Sequence, residues 1–225
     1  MTSDKTSRRT LLAGAAGLAM AAAVPFLGGR ARADASTAGY VSQPTIDSCA
    51  DWGARPPAGG ISVVPNRPNK IIVHHTVSPN TTDYSRAQAH AHAHWVQDLH
   101  IDSNRWPDTG YHFINSRGGW LTEGRHGSLY ALMRNNGNTI VQGAHTSGQN
   151  DQAIGIANEG SYHDGAQPTQ EQWNSLITIC AFVCQQYAIP PSQIYGHKDF
   201  GSTLCPGVIH DRLPELRQAV AARLA

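Results

Sequence analysis

Short apolar strands that alternate with segments of helical length constrain the fold more than any other feature of this sequence. Residues 70–74 (Lys-Ile-Ile-Val-His) form a β-branched run that stops at Ser78-Pro79-Asn80, which predicts a buried strand followed by a loop. Residues 83–100 contain neither Gly nor Pro and are rich in Ala and His, which favours a helix. The rest of the chain repeats this order of strand and helix.

The remaining elements are short strands and two further helices. Residues 169–187 carry apolar side chains at helical spacing, with Trp173, Ile177 and Val183 predicted to face the core, and residues 211–224 predict a closing helix. The alternation predicts a single α/β domain with a central mixed β-sheet flanked by helices. The other strand candidates are residues 111–115, 120–123, 153–158 and 193–195, of which the first two flank a turn as in a hairpin.

The first 33 residues are typical of an export signal. Arg8-Arg9 precedes an apolar run of about 17 residues, and Ala31-Arg32-Ala33 supplies a small-x-small cleavage site. We interpret residues 1–33 as a twin-arginine signal peptide; the alternative is an uncleaved membrane anchor, which the short run and Pro25 disfavour. We therefore expect a secreted or cell-wall-associated protein, exported by the twin-arginine route and without a stable membrane anchor.

Composition favours a folded domain after this signal. Residues 34–48 predict a polar linker, and residues 49–225 predict the domain. Apolar residues make up 40% of the chain and charged residues 15%, as in compact globular proteins. A formal net charge of +1, with scattered Lys and Arg, gives no electrostatic basis for nucleic acid as a partner. Twelve histidines are a high number for one domain and indicate a specialised use.

Candidate metal ligands lie where the predicted elements end. His74 and His75 stand at the end of the first strand, and His197 and Cys205 lie eight positions apart before Pro206-Gly207. Two imidazoles and one thiolate around a tetrahedral zinc leave a fourth position open, as in catalytic sites. Zinc lowers the pKa of water to roughly 7 and polarises a carbonyl, which permits attack on an amide. The spacing alone favours a core histidine and a half-cystine, so the context has to decide.

The context is a series of seven short motifs. They are Asp51-Trp52-Gly53-Ala54-Arg55, Ile72-Val73-His74-His75-Thr76, Asp108-Thr109-Gly110-Tyr111-His112-Phe113, Thr122-Glu123-Gly124-Arg125, Gly143-Ala144-His145, Ala153-Ile154-Gly155-Ile156, and Gly196-His197-Lys198-Asp199 through Thr203-Leu204-Cys205-Pro206-Gly207. In this order, over roughly residues 50–210, the chain resembles the zinc amidase family that phage lysozyme-type amidases share with animal peptidoglycan recognition proteins. The resemblance implies a zinc-dependent N-acetylmuramoyl-L-alanine amidase that acts on peptidoglycan, and we expect a monomer.

The resemblance also implies which residues bind the metal at the strand ends. Carried over by position, the zinc ligands are His74, His197 and Cys205. His75 is then a neighbour that orients or lines the site, and it is the alternative to His74 as the ligand. Non-catalytic members of the family lose the first histidine of this pair, whereas this chain retains all three ligands.

Tyr111 matches the family's catalytic tyrosine, whose phenol can hydrogen-bond the attacking water or the developing oxyanion. Thr203 stands where some phage members carry a lysine, and we expect it to act with Tyr111. A glutamate found in another bacterial branch is replaced by Ala157. Glu159, two residues further along the same strand face, is held in reserve as a general base.

Four residues are expected to contact the substrate. The resemblance places His145 in the binding groove, and Asn150 can hydrogen-bond a sugar or a peptide. His75 and Glu159 complete the set through their positions beside the predicted site.

Three cysteines remain once Cys205 is assigned to the metal. Exported proteins commonly form disulfides, so we expect one bridge from Cys49 to Cys180 or Cys184, and one buried free thiol.

Two rival functions stay open. A non-catalytic peptidoglycan-binding module would use the same fold, but the complete ligand set disfavours it. A stem-peptide endopeptidase would use the same zinc chemistry and would differ only in the shape of its groove.

Overall fold

A six-stranded mixed sheet lies at the centre of the protein in the computed structural model, which describes residues 39–134 and 138–225. The expected signal peptide, residues 1–33, lies outside these ranges. The strands are β1 (Ile46–Asp47), β2 (Val63–Val64), β3 (Lys70–His75), β4 (Phe113–Asn115), β5 (Leu121–Glu123), β6 (Ile140–Val141), β7 (Ala153–Asn158) and β8 (Ile194–Gly196). The helices are α1 (Arg86–Asp98), α2 (Ser128–Met133), α3 (Gln170–Tyr187), α4 (Val208–Asp211) and α5 (Leu213–Leu224).

The central sheet has the strand order β1-β5-β4-β7-β3-β8. Strand β3 pairs in parallel with both β7 and β8, and β4 pairs in parallel with β7. The predicted hairpin is present as the antiparallel pair β4–β5. Strands β2 and β6 form a separate two-stranded sheet. The prediction of an α/β domain around a mixed sheet is therefore confirmed.

Helices cover both faces of this sheet. Ile71 and Val73 of β3 pack in one apolar cluster with α3 and α5. Because successive side chains of a strand point to opposite faces, Ile72 and His74 face the other side. There α1 packs Ala93 and Val96 in a second apolar cluster. The middle of β3 is therefore fully buried, which explains its unbroken apolar sequence.

The two long helices begin where their capping residues predict. Thr169 caps α3 by accepting a hydrogen bond from the Gln172 backbone N–H, and Trp173, Ile177 and Val183 are buried as predicted. Helix α1 begins after Ser85, which caps it in the same way, so it starts slightly later than the expected residue 83. Across the described ranges, we find no helix that is both long and apolar enough to cross a lipid bilayer.

The expected linker is partly wrong, because its C-terminal half belongs to the fold. Strand β1 lies within residues 34–48 and pairs in parallel with β5. Val41 and Ile46 are buried in the α3 cluster, so this segment gains stability from the removal of apolar surface from water. The domain therefore begins before Cys49.

The expected disulfide is also wrong, since all four cysteines are free and buried. Cys49 packs with the α1 cluster, whereas Cys180 and Cys184 pack with the α3 cluster on the opposite face of the sheet. A disulfide requires Cα atoms within about 7 Å of each other, a distance that an intervening sheet does not allow.

A buried carboxylate joins β1 to α1. The Asp47 side chain is 4% exposed and accepts hydrogen bonds from Arg86 Nε at 2.7 Å and Arg86 Nη2 at 2.5 Å. It also contacts His90 Nε2 at 2.7 Å. The Arg86 guanidinium holds the pKa of Asp47 below its usual range. Because the folded-state pKa is lowered, this stabilisation is complete above pH ~4 and is lost as the pH falls through the folded-state pKa.

We expect Asp47→Asn to lower the free energy of unfolding at pH 7 by about 1–2 kcal/mol, since Arg86 is half exposed and its ion pair is partly screened. Urea unfolding of both proteins at pH 7 and at pH 3 measures the effect. The difference between them should shrink at pH 3, because the unfolded wild-type carboxylate takes up a proton below pH ~4, whereas its pKa in the folded state is lower. An equal difference at both pH values would contradict the assignment of the ion pair as its source.

Candidate metal centre

Three potential ligands converge at the edge of the sheet where β3 and β8 end. His74 lies near the end of β3, and His197 directly follows β8. Because β3 and β8 are parallel, with Val73 opposite Gly196, the next residue of each strand reaches the same edge. Cys205 joins them from the loop before α4. Of the residues that the structure describes, these form the one group of three that could hold a metal ion, with ligand atoms within 4.8 Å of one another.

The loop that carries Cys205 is held by its own hydrogen bonds. The Lys198 backbone N–H donates to the Cys205 carbonyl at 2.8 Å, and the Cys205 N–H donates to Thr203 Oγ1 at 3.2 Å. Gly207 follows with φ +66°, and a Cβ there would lie 2.1 Å from the Tyr162 carbonyl oxygen. Only glycine fits at this position, which accounts for the Cys-Pro-Gly sequence.

The protonation states of the group suit a soft divalent cation. Burial lowers the pKa of His74 well below its usual value and also lowers the pKa of His197, so both imidazoles are neutral at neutral pH. Burial raises the pKa of the Cys205 thiol to about 12. A hydrogen bond from the His75 backbone N–H, at 3.3 Å, acts in the opposite direction and lowers this pKa. Two neutral imidazoles and a thiol that a cation would deprotonate match the donors of catalytic zinc sites.

His75 lies on the opposite face of the sheet from His74. Its Nδ1 accepts a hydrogen bond from the Tyr162 backbone N–H at 3.0 Å, and its ring stacks on the Tyr162 ring. Its backbone N–H contacts the Cys205 sulfur. The two histidines therefore lie on opposite faces of the sheet, and His74 is the one that lies beside His197 and Cys205.

Tyr111 lies beside His74, with ring centroids 5.1 Å apart. The ring of His100 packs on the other side of Tyr111 at 5.3 Å, and His100 Nδ1 accepts the Gly110 backbone N–H at 2.9 Å. Burial, and secondarily Cys205, raises the pKa of the Tyr111 phenol. The phenol therefore stays protonated at neutral pH and can donate a hydrogen bond at the centre. Thr203, the other expected catalytic residue, uses its Oγ1 to hold the Cys205 loop.

The structure places His145 next to His74 and Asn150 next to His145. His145 is 7% exposed, and its Nδ1 lies 3.1 Å from His74 Nε2. Asn150 Oδ1 accepts the backbone N–H groups of His145 at 2.8 Å and of Thr146 at 2.9 Å. Both residues were expected to contact substrate; His145 instead contacts His74 directly, and Asn150 holds the backbone of His145 and Thr146.

Glu159 is 1% exposed and lies between α1 and the end of β7. One carboxylate oxygen accepts from Gln88 Nε2 at 2.7 Å, and the other accepts from the Arg117 backbone N–H at 2.9 Å. His92 Nδ1 is 3.7 Å from the same carboxylate. Burial raises the pKa of Glu159, although both hydrogen bonds oppose this. Glu159 therefore joins α1 to the sheet through buried hydrogen bonds.

Several residues around the centre were missed by sequence reasoning. His112 accepts the Gly155 backbone N–H at Nδ1 and donates from Nε2 to the Val141 carbonyl, at 2.9 and 2.8 Å. Thr146 Oγ1 lies 3.0 Å from His145 Nδ1. The signal available in the sequence was the occurrence of glycines near these rings, because a residue without Cβ admits a ring against the backbone.

Known proteins share this fold and these motifs. A family model described as N-acetylmuramoyl-L-alanine amidase matches residues 64–208. The chain is 30% identical over 176 residues to human N-acetylmuramoyl-L-alanine amidase, covering 76% of this chain and 28% of that protein, so it spans less than a third of this relative. It is 28% identical to Drosophila melanogaster peptidoglycan-recognition protein SC2, covering 72% of this chain and 80% of the other.

Solved structures extend the likeness to a bacterial protein. N-acetylmuramoyl-L-alanine amidase LysC from Clostridium intestinale superposes with a TM-score of 0.59 at 27% identity, covering 78% of this chain and 97% of that one. The family model alone accounts for well over half of the chain. The chain therefore belongs to the N-acetylmuramoyl-L-alanine amidase family.

Proposed function

We propose that this protein is a zinc-dependent amidase that cleaves peptidoglycan between N-acetylmuramic acid and L-alanine. The observation that carries the proposal is the convergence of His74, His197 and Cys205 within 4.8 Å of one another, beside a protonated tyrosine. Membership in the family supports the class of reaction and peptidoglycan as the partner. We place the activity outside the cytoplasm, in accord with the twin-arginine signal inferred for residues 1–33.

The three ligand residues would hold zinc and leave a fourth position for the reaction. Bound zinc supplies Lewis acidity, which acidifies water and polarises the amide carbonyl. Hydrolysis adds water across the C–N bond: the hydroxyl oxygen ends on the lactyl carboxylate, and the alanine nitrogen leaves as a free amine. Tyr111 remains protonated and donates a hydrogen bond to the carbonyl oxygen as negative charge develops there. Thr203 holds the Cys205 loop.

The bond that is cut identifies the function. Digestion of purified peptidoglycan, followed by mass spectrometry of the products, should show stem peptides with a free L-alanine amino group and sugar chains that retain the lactyl carboxylate. New amines within the stem peptide would indicate an endopeptidase instead. Binding to peptidoglycan without any new amine, in a zinc-loaded sample, would indicate a recognition module.

The metal assignment predicts a contrast between two adjacent histidines. We expect one zinc per mature chain, strongly reduced in His74→Ala and Cys205→Ser, because a neutral hydroxyl replaces a thiolate poorly at zinc. His75→Ala should retain zinc, because the His75 ring contacts Tyr162 and only its backbone reaches Cys205. Elemental analysis after gel filtration measures the metal content. Retention in His74→Ala together with loss in His75→Ala would reverse the assignment.

The role of Tyr111 predicts an effect on turnover. Tyr111→Phe keeps the ring beside His74 and removes only the hydroxyl, so kcat and kcat/KM should both fall roughly 10²–10³-fold while KM changes little. Tyr195→Phe is the matched control, because its hydroxyl contacts Gln193. Steady-state rates on soluble peptidoglycan fragments measure both variants. A wild-type rate in Tyr111→Phe with full zinc content would exclude the proposed hydrogen bond.

A further inference from the structure

A chain of hydrogen bonds runs from the metal centre into the core through His145. His74 turns Nδ1 toward the Cys205 sulfur at 3.7 Å. Its other nitrogen, Nε2, lies 3.1 Å from His145 Nδ1. On the far side of the His145 ring, Nε2 lies 3.3 Å from the carbonyl oxygen of Ala153. This series of hydrogen bonds therefore ends on the backbone of β7, which the sheet holds in place.

The Ala153 carbonyl sets the direction of every hydrogen bond in this series. A carbonyl oxygen only accepts, so His145 Nε2 must carry the hydrogen. A neutral imidazole carries one ring hydrogen, so the Nδ1 of His145 is then bare and accepts. His74 Nε2 must in turn carry a hydrogen and donate it. The lone pair of neutral His74 is thereby left on Nδ1, the nitrogen that faces the thiol.

Thr146 fits the same arrangement. Its hydroxyl lies 3.0 Å from His145 Nδ1 and 3.4 Å from His74 Nε2. A hydroxyl can donate to the first nitrogen and accept from the second at the same time. It therefore bridges the two rings without changing the position of any ring hydrogen.

The His145 ring packs directly against the backbone at two glycines. A Cβ added at Gly155 would lie 2.5 Å from His145 Cδ2, and one added at Gly143 would lie 2.7 Å from the same atom. Both distances are shorter than real Cβ contacts, so the two glycines form a slot for the ring. Asn150 Oδ1 fixes the backbone at His145 and Thr146. These contacts hold the His145 ring beside His74.

We infer that His145 is a positioning residue that fixes the tautomer and the ring orientation of His74, so that His74 binds the metal through Nδ1. The inference rests on the zinc dependence proposed above. It gives His145 a different role from the substrate contact expected from its motif, because the ring lies behind the ligand. A groove residue would be required for substrate affinity, whereas this residue is required for metal affinity.

A positioning role for His145 predicts a loss of zinc affinity, whereas a substrate contact predicts a loss of substrate affinity. Removal of a hydrogen-bond partner of a metal ligand typically weakens metal binding by about 10–100-fold. We therefore expect His145→Ala to raise the zinc dissociation constant by roughly that factor. With saturating zinc, KM for peptidoglycan fragments should match the wild type. His145→Asn offers an amide oxygen close to the former Nδ1 and should recover most of the zinc affinity.

Zinc affinity is measured without substrate, by competition with a chromophoric chelator against metal-free protein. The wild type, His145→Ala and His145→Asn are compared with His94→Ala, whose ring packs on Trp52 and which should bind zinc normally. In addition, long-range ¹H–¹⁵N correlation spectra of the zinc-loaded wild type identify the nitrogen of His74 that binds the metal. Thermal unfolding of each metal-free variant verifies that it is folded.

Equal zinc affinity in wild type and His145→Ala, with a raised KM, would overturn the inference and make His145 a substrate contact. Coordination of zinc through Nε2 of His74 would also overturn it, and this measurement needs no variant. If His145→Ala fails to fold, His145→Asn and the wild-type spectrum decide the question. A wild-type protein that binds no zinc would instead remove the proposed zinc dependence, together with the inference built on it.

Discussion

The parallel pairing of β3 with β7 and β8 is the constraint on which the rest of the structure depends. It brings the ends of β3 and β8 to one edge of the sheet, and with them His74 and His197. The pairing is secured by Ile71, Ile72 and Val73, all without exposed surface, under helices on both faces. A slip of one residue would send the side chain of His74 to the α3 face and dismantle the metal centre. The apolar run thus determines the position of the chemistry.

The elements with strong local patterns could be predicted from the sequence, and those fixed by distant contacts could not. Strand β3 and helix α3 matched their expected limits to within one residue, because periodicity and a capping threonine are local signals. Strand β1 was missed because two residues carry no periodicity, and its partner, Leu121 opposite Ile46, is far along the chain. The disulfide was wrong for a related reason: the sequence does not reveal which face of the sheet a cysteine occupies.

The same contrast between what local sequence shows and what distant contacts decide applies to the candidate site. The residue types and motif order led to His74, His197 and Cys205, which lie together in the structure. Motifs alone do not reveal whether a polar residue faces the groove or the core. His145 and Glu159 were both expected at the substrate, yet each is buried in hydrogen bonds that join secondary-structure elements. For Glu159, contact with substrate stays a prediction, whereas the contacts of His145 are those of the positioning role inferred above.

The four unpaired cysteines have a consequence for where this protein can mature. Since no cross-link has to form, the native state requires no oxidant, and the chain can fold in a reducing compartment. The twin-arginine route proposed for this chain carries folded cargo and would require folding before transport. Burial also protects the thiols from oxidation: it raises the pKa of Cys184 to about 12, so that little reactive thiolate forms.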